Sequence, residues 1–100
     1  MAETDITLDT VVAQAEDVIS AEVMDQVVML RMDSNAYYDT DDIGAEIWRT
    51  IAKPISVRAL CEQLMTLYEV APEACHADVL AFLREAHSEG TVQVVAPDAA

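Results

Sequence analysis

Glycine and basic side chains are both scarce in this sequence, and each shortage excludes a class of function. Only 2 glycines occur among the 100 residues, so the chain has no glycine-rich loop of the kind that binds nucleotide phosphates. Lys and Arg together number 5 against 19 Asp and Glu, which gives a formal net charge of −14. Such a charge repels the phosphates of nucleic acids and the surface of anionic membranes. We therefore expect partners that are basic, neutral or apolar, and neither a nucleic acid nor a membrane.

The chain also lacks the sequence features of export and of membrane insertion. Its first residues contain no basic region of the kind that opens a secretory signal, and no apolar run approaches the ~20 residues that span a bilayer. We expect a cytoplasmic protein. The two cysteines, Cys61 and Cys75, fall in predicted helices without the paired spacing of a zinc or redox motif. This spacing favours two buried thiols over a disulfide or a metal site.

The remaining composition is that of a folded domain. Hydrophobic residues make up 53% of the chain, which is enough to bury one core in a protein of this length. We predict a single domain over residues 10–95. The N-terminal arm, residues 1–9, is predicted to be flexible or to form an edge strand, and the C-terminal tail, residues 96–100, is predicted to be loose.

Alternating apolar residues in the first third of the chain predict β-strands. Residues 10–16 are loosely strand-like, and residues 17–23 alternate well, with Ile19 and Val23 on the apolar face of a half-buried strand. Residues 27–32 form a third strand that is apolar on both faces. The simplest arrangement of the three is an antiparallel meander. In it, one edge of the third strand lacks a partner and is open to pairing with a second polypeptide.

The rest of the chain has the 3.6-residue periodicity of helices. Thr40 is predicted to cap the first helix, and Ser56 the second. The third and longest helix is predicted to begin at Pro72 and to end at Gly90, before a short terminal strand over residues 91–95. The predicted fold class is α+β and winged helix-turn-helix-like, with a three-stranded antiparallel sheet followed by three helices.

No group of residues in the sequence has the spacing of a catalytic or metal site. Asp39 and Asp41 ahead of Gly44 resemble the start of a calcium loop, but Ile43 and Thr50 stand where that loop needs oxygen ligands. The two histidines lie about three helical turns apart on the third helix, which is too far for one ion. We therefore expect a protein that is not an enzyme and that uses neither a cofactor nor a metal.

Several short motifs, taken in their order along the chain, resemble one known family. They are Val27-Val28-Met29-Leu30, Tyr37-Tyr38, Asp42-Ile43-Gly44-Ala45-Glu46-Ile47-Trp48, the Ser56-Val57 helix start, and Asp78-Val79-Leu80-Ala81-Phe82-Leu83 followed by Glu89-Gly90. Together they look like the PqqD-like family, the recognition elements of pathways that modify ribosomally made peptides. The resemblance covers roughly residues 12–95.

The resemblance implies peptide binding without catalysis. Members of the family hold the leader segment of a precursor peptide as an added β-strand in a cleft closed by the third helix, and so present it to maturation enzymes. Transferred by position, the peptide-binding residues are Val27, Val28, Met29, Leu30, Arg31, Met32, Asp78, Val79, Phe82, Leu83 and Ala86. For a chain of this size we expect the lasso-peptide type, in which a standalone recognition protein delivers the precursor to a leader protease. Quinone-cofactor biosynthesis and radical-enzyme pathways stay open.

The residues themselves leave alternatives open at this site. Met29, Met32 and Phe82 are either walls of a peptide pocket or plain core, and Arg31 pairs either with a leader carboxylate or with the chain's own acids. A different class of function also fits. In that alternative the chain is a structural or regulatory interaction domain that dimerises through the same strand edge, and the protein is a monomer or a weak dimer.

Overall fold

The computed structural model describes residues 6–24 and 26–95, and it has an α+β fold. Its elements in chain order are β1 (Val11–Gln14), β2 (Val18–Val23), β3 (Gln26–Arg31), β4 (Tyr37–Asp39), α1 (Asp42–Thr50), β5 (Ile55–Ser56), α2 (Val57–Leu67), α3 (Pro72–Glu89) and β6 (Val92–Val95). The prediction of a three-stranded antiparallel sheet and three helices is confirmed, and a second sheet is added to it. Residues 1–5 of the predicted arm and the predicted tail, 96–100, lie outside the described residues.

The strands form two antiparallel sheets with the orders β2-β3-β4 and β5-β1-β6. The meander is therefore shifted along the chain from the one that the sequence suggested. A turn at Glu16 and Asp17 separates β1 from β2, and β1 pairs instead with β5 and β6. The third place in the meander belongs to β4, which was not predicted because three residues are too few to show a periodic pattern.

The pairing register of the meander decides which side chains face the helices. Met29 is opposite both Ser20 and Tyr38, and its side chain is buried. On the other face Ile19 and Val23 are each 54% exposed. The prediction that β2 is half-buried through its apolar face is wrong, because the polar face carrying Glu22 is the one that turns toward α1.

The ion pair between β2 and α1 shows how that orientation is held. Nε of Arg49, at the end of α1, lies 2.8 Å from Oε2 of Glu22. This hydrogen bond lowers the pKa of the Glu22 carboxyl below its ordinary value and raises that of the Arg49 guanidinium. Both side chains are solvent-exposed, so the ion pair adds little to the free energy of unfolding and mainly orients β2 against α1.

The core lies between the helices and the inner faces of both sheets. Every helix contributes a buried apolar stripe to it. Its fully buried large side chains are Ile6, Ile51, Leu60, Leu83, Val12, Val27 and Val57. The described part of the N-terminal arm, residues 6–9, belongs to this packed body, because the Ile6 carbonyl also accepts hydrogen bonds from Nε and Nη2 of Arg84 at 3.2 and 2.9 Å.

The first helix begins one residue later than predicted. Oδ1 of Asp41 accepts a hydrogen bond of 2.7 Å from the Gly44 N–H, which makes Asp41 the N-cap of α1. Thr40, the predicted cap, uses its hydroxyl to accept from the Val27 N–H at 3.2 Å. The hydroxyl of Thr40 thus extends the β3–β4 pairing, and the carboxylate of the adjacent Asp41 caps the helix instead.

The start of α2 and both ends of α3 agree with the sequence, whereas α2 ends at Leu67, short of the predicted residues 69–70. Ser56 caps α2 by accepting from the Ala59 N–H at 3.1 Å. Pro72 stands in the first turn of α3, where its missing N–H costs nothing. Gly90 ends α3 with a φ of 86°, in the left-handed region that favours glycine. Pro72 and Gly90 therefore fix where α3 begins and ends along the chain.

Both cysteines are buried between α2 and α3, as predicted. The Sγ atom of Cys75 lies 3.8 Å from the carbonyl oxygen of Cys61, and burial raises the pKa of the Cys61 thiol to about 12. Within the described ranges no helix is both long and apolar enough to cross a membrane. The same residues contain no group of His, Cys, Asp and Glu side chains that could hold a metal ion.

The buried Cys61 thiol predicts a loss of stability at high pH. In the folded state its pKa is raised from 9.0 to about 12, so folding favours the neutral thiol. Its contribution to the free energy of unfolding is complete below pH 9 and is lost as the pH rises from there toward 12. Urea unfolding at a series of pH values measures this. A Cys61→Val variant is the control and should lose less stability across the same range; an equal loss would contradict the prediction.

Candidate functional site

The outer edge of β4 is the first element of the candidate site. β4 pairs with β3, and no second strand pairs with it among the described residues. The Thr40 N–H donates to the Val27 carbonyl at 3.0 Å. Because the backbone groups of an antiparallel strand point alternately to its two sides, those of Tyr38 also face β3. The N–H and C=O groups of Tyr37 and Asp39 therefore point outward from the sheet.

β3 itself has no open edge. All 6 of its residues pair with β2, and its central residues, Val28, Met29 and Leu30, also pair with β4. The free edge that the sequence analysis assigned to residues 27–32 is thus occupied by the protein's own backbone. The open edge on this side of the sheet belongs to β4, because β4 and not β1 completes the meander.

A groove separates the edge of β4 from α3. Its cavity has a volume of about 390 Å³. The residues that line it are Met29, Tyr37, Tyr38, Asp39, Thr40, Phe82, Glu85, Ala86, Glu89 and Thr91. Those from α3 recur at intervals of three and four, so they form one face of the helix. We call this space the β4–α3 groove.

A smaller cavity of about 230 Å³ continues the groove toward the start of α1. Its lining residues are Asp41, Ile43, Gly44, Ile47, Asp78, Val79 and Phe82. Phe82 lines both cavities, and together they form a furrow along α3 from Glu89 to Asp78, which we call the α3 furrow. This stretch of helix rises about 16 Å, a length that about five residues of an extended peptide would cover.

Gly44 allows α1 to approach the middle of the α3 furrow. A Cβ atom at this position would lie 3.0 Å from Cε1 of Phe82 and 3.0 Å from Cβ of Thr40. That is closer than side chains normally come, so a larger residue would push the Phe82 ring toward the furrow. The glycine in α1, which lowers helix propensity, is therefore explained by the aromatic ring beside it.

The structure separates the predicted site residues into three groups. Those that line the two cavities are Met29, Asp78, Val79, Phe82 and Ala86. Those that lie fully in the core and line neither cavity are Val27 and Leu83. Those that lie on the opposite, outer face of the meander are Val28, Leu30 and Met32, the last of them 54% exposed. Met29 and Phe82 thus belong to the wall of a cavity, whereas Met32 does not.

Arg31 closes one end of the groove instead of lining it. Its Nη1 donates to the Glu89 carbonyl at the end of α3 at 3.2 Å. Its Nη2 lies 2.6 Å from Oδ2 of Asp33 and 3.5 Å from Oδ2 of Asp17. Of the two alternatives for Arg31, the structure shows pairing with the chain's own acids. The side chain ties β3 to the C-terminus of α3 and so fixes the spacing of the groove walls.

The sequence analysis missed one complete wall of the groove. That wall is β4, where Tyr37 is 72% exposed and Tyr38 is half-buried. The tyrosine pair was part of the family motif, but nothing in its pattern indicated a strand edge. Glu85 and Glu89 were also missed, although their spacing from Phe82 places them on the same face of α3.

The walls of the α3 furrow carry only negative formal charge. The acids that line its two cavities are Asp39, Asp41, Asp78, Glu85 and Glu89, and no Lys or Arg is among the lining residues. Burial raises the pKa of the Glu89 carboxyl above its ordinary value, and the nearby charge of Glu85 raises it further. The furrow therefore has an apolar floor and an acidic rim.

The groove occupies a segment that a known family shares. The sequence profile described as "Coenzyme PQQ synthesis protein D (PqqD)" matches residues 26–92, which include both walls of the groove. The chain belongs to the PqqD family. A solved structure, "TbiB1 in Complex with the TbiA(beta) Leader Peptide", is similar to this PqqD-family chain with a TM-score of 0.75 and 23% identity over 81% of this chain and 94% of that chain. The likeness shows a shared fold. No curated protein sequence matches the chain.

The contact between Arg31 and Gly90 predicts a strong effect of substitution at the end of α3. A Cβ at Gly90 would lie 2.6 Å from Cζ of Arg31, and a left-handed backbone costs a non-glycine residue about 1–2 kcal/mol. We expect Gly90→Ala to lower the free energy of unfolding by about 2 kcal/mol or more, measured by urea denaturation. Adding Gly90→Ala to an Arg31→Ala protein should cost less, since the side-chain contact is gone. Strictly additive costs would show that the two residues do not interact.

Proposed function

We propose that this PqqD-family protein binds the leader segment of a ribosomally synthesised precursor peptide. The leader lies in the α3 furrow as an extended strand and pairs with the outer edge of β4. The observation that carries the proposal is the pair of outward-facing backbone sites at Tyr37 and Asp39, which stand across an open cavity from Phe82 and Ala86 of α3. Strand addition of this kind supplies affinity through the main chain and selectivity through side-chain pockets.

The short edge sets the affinity that we expect. Tyr37 and Asp39 each offer one N–H and one C=O, and each hydrogen bond contributes about 0.5–1.5 kcal/mol net. A micromolar dissociation constant corresponds to about 8 kcal/mol. Apolar contacts with Met29, Phe82 and Ala86 must therefore supply much of the remainder, because ordering a flexible leader also costs free energy. Among the residues predicted from sequence, these three together with Asp78 and Val79 are the proposed peptide contacts.

The similar structure supports this assignment, because TbiB1 is in complex with a leader peptide. The role that follows is non-catalytic. The bound leader positions the rest of the precursor for a maturation enzyme, for which we propose a leader protease of the lasso-peptide type. A cyclase or a radical enzyme receives the precursor in related pathways of modified peptides.

The alternative of dimerisation through the same edge has less support. Two copies paired along β4 would bring together two acid-lined grooves, in a protein whose formal net charge is −14. Like charges oppose such an approach. We infer a monomer, and light scattering at high protein concentration checks this; a dimer that a leader peptide dissociates would favour the alternative.

Titration with the leader of the precursor encoded beside this protein tests the proposed function. Calorimetry should give a dissociation constant in the micromolar range or somewhat tighter. In ¹⁵N-labelled protein, the amide shifts should concentrate on β4 and on α3 from Asp78 to Glu89. The two peptide amides that donate to the Tyr37 and Asp39 carbonyls should become protected from exchange. Shifts that avoid both walls of the furrow would overturn the proposal.

A proline substitution tests the outward backbone groups directly. The Asp39 N–H faces away from β3, so Asp39→Pro removes a donor from the open edge while leaving the pairing with β3 intact. Asp39→Ala is the matched control, because it removes the same side chain and keeps the N–H. We expect leader binding by Asp39→Pro to be about tenfold weaker than by Asp39→Ala, with equal melting temperatures. Equal affinities of the two variants would show that the leader does not pair there.

A further inference from the structure

Two acids of α3 face the space that a peptide would fill. Glu85 and Glu89 are one turn apart on α3 and line the groove from the same helix face. Asp39 lines the opposite wall at the end of β4, but it pairs with Val28, so its side chain points to the outer face of the meander. A positively charged group in the groove would therefore meet the two carboxylates of α3.

The protein has no basic side chain of its own to neutralise this groove. It has only 5 Lys and Arg residues, all of them at described positions, and none lines either cavity of the α3 furrow. Three of them are in ion pairs with acids that do not line the furrow. Arg31, at the end of the groove, pairs with Asp17 and Asp33, Arg49 with Glu22 and Glu46, and Arg58 with Asp9. Arg84 binds the Ile6 carbonyl, and Lys53 lines a separate cavity near the end of α1.

The floor of the groove adds a second requirement. Met29 and Ala86 are buried apolar side chains at its base, and Phe82 stands half-exposed beside them. A chain that is polar along its whole length would cover this floor without filling it. A ligand that fits the groove must then combine an apolar side chain, which contacts the floor, with a cation, which pairs with the acids of the rim.

We propose that the furrow selects a leader segment that carries a Lys or Arg together with an apolar or aromatic anchor. The cation lies beside Glu85 and Glu89, and the anchor contacts Met29, Phe82 and Ala86. The two side chains are an even number of positions apart in the peptide, because residues of a strand point to the same face only at every second position. The inference rests on the proposed function and specifies the chemistry of its ligand.

Paired charge neutralisation tests the inference. The protein variant is Glu85→Gln/Glu89→Gln. The control pair Glu62→Gln/Glu69→Gln, two exposed acids outside the furrow, makes the same change in net charge. The probe is a fluorescently labelled synthetic leader of the precursor encoded beside this protein, with each Lys and Arg of its bound segment replaced singly by Gln. Fluorescence anisotropy gives the dissociation constants at low and at physiological salt.

The expected results are specific to one peptide position. The double variant should bind the unchanged leader about tenfold more weakly than the wild-type protein does, and the control pair Glu62→Gln/Glu69→Gln should bind it normally. One Lys or Arg to Gln change in the leader should cost the wild-type protein a similar factor. The same change should cost the double variant little, because the partner acids are already gone. Salt should weaken the wild-type complex more than the variant complex.

Other outcomes separate this inference from the proposed function. If the leader binds in the furrow but the double variant binds it as the wild type does, the inference is overturned and leader binding stands. The same holds if the bound segment contains no Lys or Arg. If the wild-type protein does not bind the leader at all, the proposed function itself fails. Circular dichroism of the double variant should match the wild type, so that weaker binding is not due to unfolding.

Discussion

The one-sided pairing of β4 with β3 determines what this protein offers to a peptide. Thr40 and Val27 hold the end of β4 in register, and alternation along the strand then turns the backbone groups of Tyr37 and Asp39 away from the sheet. A shift of one residue would exchange these groups with those of Tyr38 and would also bring different side chains to the groove. The pairing register thus decides which backbone groups lie at the open edge. The hydroxyl of Thr40 helps to hold this register and therefore does not cap α1.

The second wall of the groove, α3, depends on contacts at its C-terminal end and at Phe82. At the C-terminal end Arg31 reaches from β3 to the Glu89 carbonyl, and Gly90 leaves room for its guanidinium. Near the middle of the furrow, Gly44 lets α1 approach the Phe82 ring. The chain has only these two glycines, and each lies where a side chain would alter the spacing between α3 and its neighbours. No glycine occurs at any other position, so the rest of the fold forms without the extra space that a missing side chain provides.

Local chemistry made part of this structure predictable from sequence. Ser56, Pro72 and Gly90 act through atoms within a few residues of themselves, so the start of α2 and both ends of α3 follow from short motifs. The helix wall of the groove was predicted in part for the same reason, since Phe82 and Ala86 share a periodic stripe. β1 and β4 were misplaced or missed because strand partners are chosen over long distances in the chain, where sequence pattern carries little information. An edge strand of three residues has no period to detect.

Under the proposed function, the shortness of β4 limits how long a leader would stay bound. A complex with micromolar affinity that forms at about 10⁶ M⁻¹s⁻¹ dissociates with a rate near 1 s⁻¹. A longer ladder would hold the peptide for minutes and would compete with whatever acts on it next. With two residues pointing outward, a leader of the proposed affinity would leave the furrow about once per second. One molecule could then bind many precursors in succession, so a small amount of the protein would serve many of them.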